Sequence, residues 1–302
     1  MLDRLFYEDK GVLLQDLHTV TLLGYLGVLL VLALLFSHPL YLAAVLAAGA
    51  LGVVAAGAQE KWSFYLKFGL GMALLLLIIN AFASPAGATV VLRAGPLKLC
   101  LEAIVYGAVM GMRLVAVLTA FCLASATLHP DKLLALLSPL AYKSALVLAL
   151  ATRMLPAATR DLVRAREALE IRGVDFGTGS FMERLKKQAW LLDILLVSSL
   201  EGALDTAEAM QARALGSGPR SHYRRELPRP RDAVCLAPSL LALALSVYAK
   251  ISGLGDYTYY PRLAPLAEGP SPAVAAAIFA SLSVPAILSW GWKRWPCLRS
   301  RI

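Results

Sequence analysis

The chain has 302 residues, of which 59% are hydrophobic and 16% charged, with a mean hydropathy of +0.66. Soluble domains carry roughly 45–50% apolar and about 25% charged residues, so this composition excludes an ordinary soluble domain and indicates a membrane protein. The net charge is +9, and 14 of the 29 Lys and Arg lie between Arg153 and Arg231 beside ten Asp and Glu. That basic stretch sits between apolar runs and has no aromatic stacking platform, so it does not read as a nucleic-acid surface.

In chain order, residues 1–17 are polar and mixed in charge, which predicts a short interfacial segment. Val20–Phe36 is 17 apolar or small residues, enough to cross a bilayer. It passes through a reversal at Ser37-His38-Pro39 into a second span, Leu40–Ala58, the pattern of an uncleaved first span. Gln59-Glu60-Lys61-Trp62 reads as an interfacial anchor. Phe64–Ala83 is a third span, with Lys67 placed to snorkel. Ser84–Leu99 reads as a Pro/Gly-bearing loop, and Cys100–Leu128 as a fourth span containing Glu102 and Arg113.

Arg113 has two readings. A charge inside a span faces protein or a wet cavity and marks function by default; alternatively the helix is tilted and the arginine lies near head groups. Leu133–Leu155 is apolar enough to span but carries Pro139 and Lys143 in its middle. With that segment on the membrane surface, four spans precede the basic stretch. Two follow it, Ala233–Ile251 and Ala273–Trp292, joined by a turn-rich connection bearing Tyr257, Tyr259 and Tyr260. The positive-inside rule then puts the basic stretch and both termini in the cytoplasm.

The basic stretch has a helical pattern. Arg160, Arg164, Ala168 and Arg172 fall at steps of four, and a break at Gly173–Ser180 leads into a second helix, Phe181–Leu215. Its apolar middle, Trp190–Leu200, is too short to cross a bilayer, which makes it an amphipathic or core-packed helix. The tail Arg220–Arg231 carries five arginines and suits an anionic leaflet. Two segments echo each other: Glu167-Ala168-Leu169-Glu170-Ile171-Arg172-Gly173 and Glu208-Ala209-Met210-Gln211-Ala212-Arg213-Ala214. Helical spacing puts Ala168 with Arg172, and Ala209 with Arg213, on one face. Gly173 and Gly216 are expected to cap the two helices, placing both arginines at exposed ends. The pair reads as a docking device.

Other chemistry is missing from the sequence. There is no Gly-x-x-x-x-Gly-Lys, so the chain is not itself a P-loop ATPase. His18, His38, His129 and His222 are scattered without metal-ligand spacing, and Cys100, Cys122, Cys235 and Cys297 match no metal or redox pattern. No metal site and no bound cofactor are expected. An integral-membrane enzyme would have to draw on Asn80, Glu102 and Arg113.

From Met110 to Tyr223 the chain resembles the transmembrane T component (EcfT/CbiQ-like) of energy-coupling factor (ECF) transporters, ABC-type importers of vitamins and transition-metal ions. Thr127-Leu128-His129-Pro130-Asp131-Lys132-Leu133 is similar to the family's Thr-x-x-Pro-x-x-Leu element. Leu148 to Pro156 is similar to its Leu-x-x-Arg-x-x-Pro, and the two arginine segments to its paired Ala-Arg-Gly-like triplets. Here the triplets are Ile171-Arg172-Gly173 and Ala212-Arg213-Ala214, with isoleucine for the first alanine and a final alanine where glycine or serine is usual. The family's amino-terminal Asp-Pro-Arg-x-Lys is absent, and Glu8-Asp9-Lys10-Gly11 is a faint echo.

The resemblance implies an all-α integral membrane protein with about six transmembrane helices and a cytoplasmic coupling-helix region. The expected layout is an N-terminal membrane region (1–128), coupling helices (129–231) and a C-terminal membrane hairpin with a basic tail (232–302). It also implies a non-catalytic coupling subunit in a prokaryotic cell membrane. Two ABC ATPase subunits, alike or different, would hold ATP and Mg and dock at Ala168, Ile171, Arg172, Gly173, Ala209, Ala212, Arg213 and Ala214. A separate membrane S component would bind the substrate, and the Gly/Ala-rich run Gly49–Gly57 could pack against it or against lipid. The alternatives are a conventional ABC-importer permease, which shows one coupling loop per chain, and the membrane enzyme.

Overall fold

Each of the six apolar runs folds as a helix, because a backbone in hydrocarbon must satisfy its own polar groups. The protein, in a computed structural model, is described over residues 11–83, 89–94, 97–139, 141–218, 227, 229–261, 263–266 and 269–294. The elements are α1 (Leu13–Asp16), α2 (Thr19–Leu35), α3 (Pro39–Ala55), α4 (Gln59–Ala83), β1 (Val90–Ala94), β2 (Leu97–Cys100), α5 (Leu101–Thr127), α6 (Pro130–Leu137), α7 (Tyr142–Ile171), α8 (Phe181–Ala212), α9 (Pro230–Ile251) and α10 (Ser271–Arg294). Helices α4, α5, α9 and α10 are long and apolar enough to cross a membrane; α2 and α3, at 17 residues each, are shorter apolar helices. It is an all-α integral membrane protein with one addition. The connection expected as a plain loop contains the antiparallel hairpin β1–β2, with Arg93 opposite Lys98 and Ala94 opposite Leu97.

The chain divides into two units. One comprises residues 1–133 and 226–302, the other Leu134–Arg225. In the first, α3 lies between α5 and α10, α2 packs on α9 and α5, and α4 lies along α5. Its core includes Leu14, Leu29, Leu32, Tyr41, Leu123, Ile278 and Leu282, all fully or almost fully buried. Two of the polar groups inside it are paired, the Tyr25 hydroxyl donating to the Leu282 carbonyl at 3.3 Å and Trp62 Nε1 to Thr119 Oγ1 at 3.3 Å, whereas the buried Tyr41 hydroxyl has no hydrogen-bond partner among the described residues.

Glycines set the closest helix approaches. A Cβ on Gly111 would stand 2.7 Å from Ala73 Cβ, and one on Gly107 2.9 Å from the backbone Cα of Leu77. Gly107 and Gly111 are thus a Gly-x-x-x-Gly face against α4. Gly49 and Gly52 face Thr119 and Leu123 of α5 and are buried. The run Gly49–Gly57, open to contact with either an S component or lipid, is therefore internal packing at these two positions.

Three histidines start helices in the same way. Nδ1 of His18, His38 and His129 accepts the backbone N–H two residues on, at 3.2, 3.2 and 3.1 Å. At His38 and His129 a proline follows at the first helical position, where its missing N–H costs nothing. The Leu133–Leu155 run is not one helix. The residue before a proline disfavours the helical region; α6 ends at Leu137, just before Ser138-Pro139, and α7 begins at Tyr142.

In the second unit, α7 and α8 are joined by a tightly bonded loop. Asp175 Oδ1 accepts the Gly177 N–H at 2.8 Å, and Lys187 Nζ reaches the carbonyls of Asp175 and Thr178 at 2.6 and 3.1 Å. That N–H of Gly177, then the Thr178 hydroxyl, hold the Asp175 carboxyl below its ordinary value. Ser180 and Glu183 form a capping box at the start of α8. Only Ala145, Leu169 and Leu191 are buried along α7 and α8.

Segment 1–10, Arg220, Arg224, Arg225, His222, Cys297, Arg299 and Arg301, each singled out above, lie outside the described residues.

Candidate docking ends of α7 and α8

Helices α7 and α8 stop by the same mechanism. At α7, Arg172 is the C-cap, the Gly173 N–H bonds the Glu170 carbonyl at 3.0 Å, and the Val174 N–H bonds the Leu169 carbonyl at 3.0 Å. At α8, Arg213 is the C-cap, Ala214 bonds Gln211 at 2.9 Å, and Leu215 bonds Met210 at 3.1 Å. Both are Schellman motifs with apolar residues at the positions that usually accompany them. The left-handed position is Gly173 (φ +88°) in the first and Ala214 (φ +57°) in the second. The cap of α8 is therefore Ala214 and not Gly216, which follows two residues later at φ +90°.

These bonds occupy terminal carbonyls that a basic side chain would otherwise satisfy. Among the described residues, neither the Arg172 nor the Arg213 guanidinium makes a hydrogen bond or ion pair, and both are exposed. Ile171 is 87% exposed, an unusual state for a large aliphatic side chain. Ala168, Gly173, Ala209, Ala212 and Ala214 are exposed as well, so small residues leave room for another backbone beside each arginine.

Arg213 lines a cleft of about 550 Å³ with Arg153, Met154 and Ala157 of α7 and with Asp205 and Met210 of α8. Arg153–Met154 lies about 18 residues before Arg172 on α7, roughly 27 Å along the helix at 1.5 Å per residue. The two arginine ends are therefore well separated on one unit. The cleft joins Arg153, from the Leu-x-x-Arg-x-x-Pro segment, to Arg213. Nothing local in the sequence links these two, since the crossing of α8 over α7 brings them together.

Arg113 has a different setting. Its Nη2 donates to the Phe36 carbonyl at 2.8 Å and to Ser37 Oγ at 3.4 Å, at the C-terminus of α2. Tyr259 donates to the Ser37 carbonyl beside it. Mid-helix in α5, Arg113 satisfies the end of a shorter helix. Asn80 bonds the Leu76 carbonyl of its own helix, and Glu102 accepts from Thr89 N and Oγ1 at 3.0 and 2.8 Å. These three polar groups thus engage three separate partners. Among the described residues no group of three or more His, Cys, Asp or Glu is placed to hold a metal ion.

Comparison with known proteins follows the same lines. The family described as CbiQ, Cobalt transport protein, matches residues 13–223. The Energy-coupling factor transporter transmembrane protein EcfT of Streptococcus equi subsp. equi is 29% identical over 204 residues, covering 63% of this chain and 74% of the relative. That of Listeria innocua is 30% identical over 182 residues, covering 57% and 68%. That of Heliobacterium modesticaldum is 30% identical over 186 residues, covering 58% and 69%.

Proposed function

The chain belongs to the CbiQ family and is an EcfT-like T component of an ECF transporter, and from that premise we propose that it couples two cytoplasmic ATPase subunits to a membrane-embedded substrate-binding S component. ATP and Mg²⁺ are held by the ATPases, and this chain passes force between them and the S component. The cargo class is a vitamin or a transition-metal ion, chosen by the S component. The six apolar helices cross the cell membrane, and Leu134–Arg225 and both termini face the cytoplasm.

The observation that most directly supports this reading is the pair of like helix ends. Each presents an uncommitted arginine at a closed Schellman cap, and the cleft beside Arg213 reaches α7 roughly 27 Å along the helix from Arg172. One such end serves one ATPase, and a second end serves the second. Arginine suits the task because its planar fork pairs with a carboxylate through two parallel hydrogen bonds. Ile171 and Leu215, exposed beside the two arginines, supply apolar area around each contact.

Truncating one partner of a buried charge pair at an interface costs about 2–5 kcal/mol or more. Co-purification of tagged chain with its ATPases from detergent should therefore fail for Arg172→Glu/Arg213→Glu while the chain still inserts. Single changes to alanine should each weaken recovery, and the double change far more. Full recovery of the ATPases with the double charge reversal would place the docking surface elsewhere.

A further inference from the structure

The chain leaves the bundle after Leu133 and is again part of it in α9, which begins at Pro230. Both roots of the intervening unit are tied to one small element. Just before the departure, Lys132 Nζ donates to the Gln15 carbonyl at 2.8 Å. Just after the return, Arg231 Nη2 donates to the Asp16 carbonyl at 2.7 Å. Gln15 and Asp16 are consecutive residues at the end of α1, a four-residue helix whose carbonyls have no full set of helical partners.

The same element is held from two other sides. Gln15 Nε2 donates to the Ala126 carbonyl in the last turn of α5 at 3.0 Å. Asp232 takes the His18 N–H on Oδ1 at 2.9 Å and the Arg229 N–H on Oδ2 at 2.7 Å, so one carboxylate joins the segment after α1 to the start of α9. Leu13, Leu14 and Leu17 are buried. Arg231 and Asp232 are 7% and 5% exposed, and the Arg231 guanidinium lies 5.8 Å from the Trp292 ring centroid on α10. Two charged residues kept this deep at a chain junction fix one arrangement of α1, α5, α9 and α10.

We propose that Lys132, Arg231 and Asp232, gathered on α1, are positioning residues that clamp both roots of the coupling unit to the bundle, so that displacement of that unit is passed to α5 and α9 together. This rests on the coupling role proposed above. Lys132, Arg231 and Asp232 are distinct from the residues proposed to dock the ATPases, so the clamp governs transmission and leaves docking alone. A loosened root lets the unit move without moving the bundle.

The test uses the full chain in complex with its ATPases in liposomes, with Cys100, Cys122, Cys235 and Cys297 replaced by serine. Nitroxides are placed at Leu34→Cys on α2 and Val163→Cys on α7, both exposed. Pulsed electron resonance then reads the change in their separation on adding ATP and vanadate. Lys132→Met is the first variant, because Lys132 is partly exposed, unlike the buried Arg231 and Asp232. The ATPases should remain bound and hydrolyse ATP within twofold of the wild-type rate, while the nucleotide-driven change falls to less than half. Lys132→Arg should restore it, and Arg231→Met should repeat the loss where Arg231→Lys does not.

A wild-type change in Lys132→Met, with ATPases bound, would overturn the clamp and leave the coupling reading standing. An equal loss of thermal stability in Lys132→Met and Lys132→Arg would mark plain packing and also overturn it. Failure of the wild type to retain ATPases would instead count against the coupling reading, and against the clamp with it.

Discussion

Ala214 sits in the left-handed region at φ +57°, where a side chain costs roughly 1–2 kcal/mol relative to glycine. Its counterpart at the end of α7, Gly173, carries no such penalty. Ala214→Gly should therefore stabilise the last turn of α8 by about 1 kcal/mol, and Gly173→Ala should loosen the last turn of α7 by a similar amount. Amide hydrogen exchange of Leu215, which bonds Met210, should slow about fivefold in the first variant, and exchange of Val174 should quicken in the second. No change at Leu215 would mean that tertiary contacts, rather than cap geometry, set the end of α8. The place of the two arginines at helix ends was legible in the sequence, because a charge followed by a small residue recurs at matched places. The cap was misplaced at Gly216, since a search for glycine overlooks a motif whose register is fixed by hydrogen bonds from Ala214 and Leu215.

At the scale of elements, α3 and the α4–α5 pair show two ways in which a helix is held. His38 caps α3 through Nδ1 while its ring stands edge-on to Tyr41 and Tyr257. Burial pushes the imidazole below its ordinary value of 6.5. A folded value lowered in this way means that the unfolded chain binds the proton more readily, so stability rises with pH through the window. The contribution is present above about pH 6.5 and is lost as pH falls below it, as protonation also removes the Nδ1 acceptor. Melting temperature in detergent should drop between pH 7.5 and 5.5 in the wild type, and His38→Asn, which keeps an N-cap acceptor, should flatten that drop. Equal slopes would assign the pH dependence to other groups. In α5, Gly107→Ala and Gly111→Ala should each cost about 1–3 kcal/mol, because the new methyl meets the backbone of α4. Gly27→Ala on α2, with nothing within 4 Å, is the control that should not destabilise. The helices were legible because each apolar run is continuous for at least 17 residues, though α2 and α3 are shorter than the four long spans. Pro139 argued against Leu133–Leu155 as a span, but the break between α6 and α7 shows itself in the fold alone. Which glycines meet which helix was not. Gly49–Gly57 and Gly107–Gly111 look alike in one chain, and only the packing of α3 and α4 against α5 sorts them.

For the molecule as a whole, the two units differ in how they can be stable. The bundle has a continuous buried core and clamps its own junctions, through contacts such as Arg231 to Asp16 that lie more than 200 positions apart and leave no local pattern to read. Along α7 and α8, by contrast, only Ala145, Leu169 and Leu191 are buried, and Leu192, Leu196, Leu200 and Leu204 form an exposed stripe at steps of four. An apolar stripe of this kind marks a surface that is covered in the working assembly. The sequence showed the apolar middle of α8 but could not separate a packed core from a face awaiting cover, since both follow helical periodicity. Local stability should follow the same division, with opening cheapest where buried contacts are fewest. Proteinase K applied briefly to the chain in detergent should cut within α7 and α8 before it cuts any helix of the bundle, as mapped by mass spectrometry of the fragments. With the ATPases bound in a lipid bilayer, those cuts should slow at least tenfold while the pattern in the bundle stays the same. Early cleavage of α2, α3 or α5 in the free chain would show that the bundle, and not the α7–α8 unit, is the part that depends on its partners.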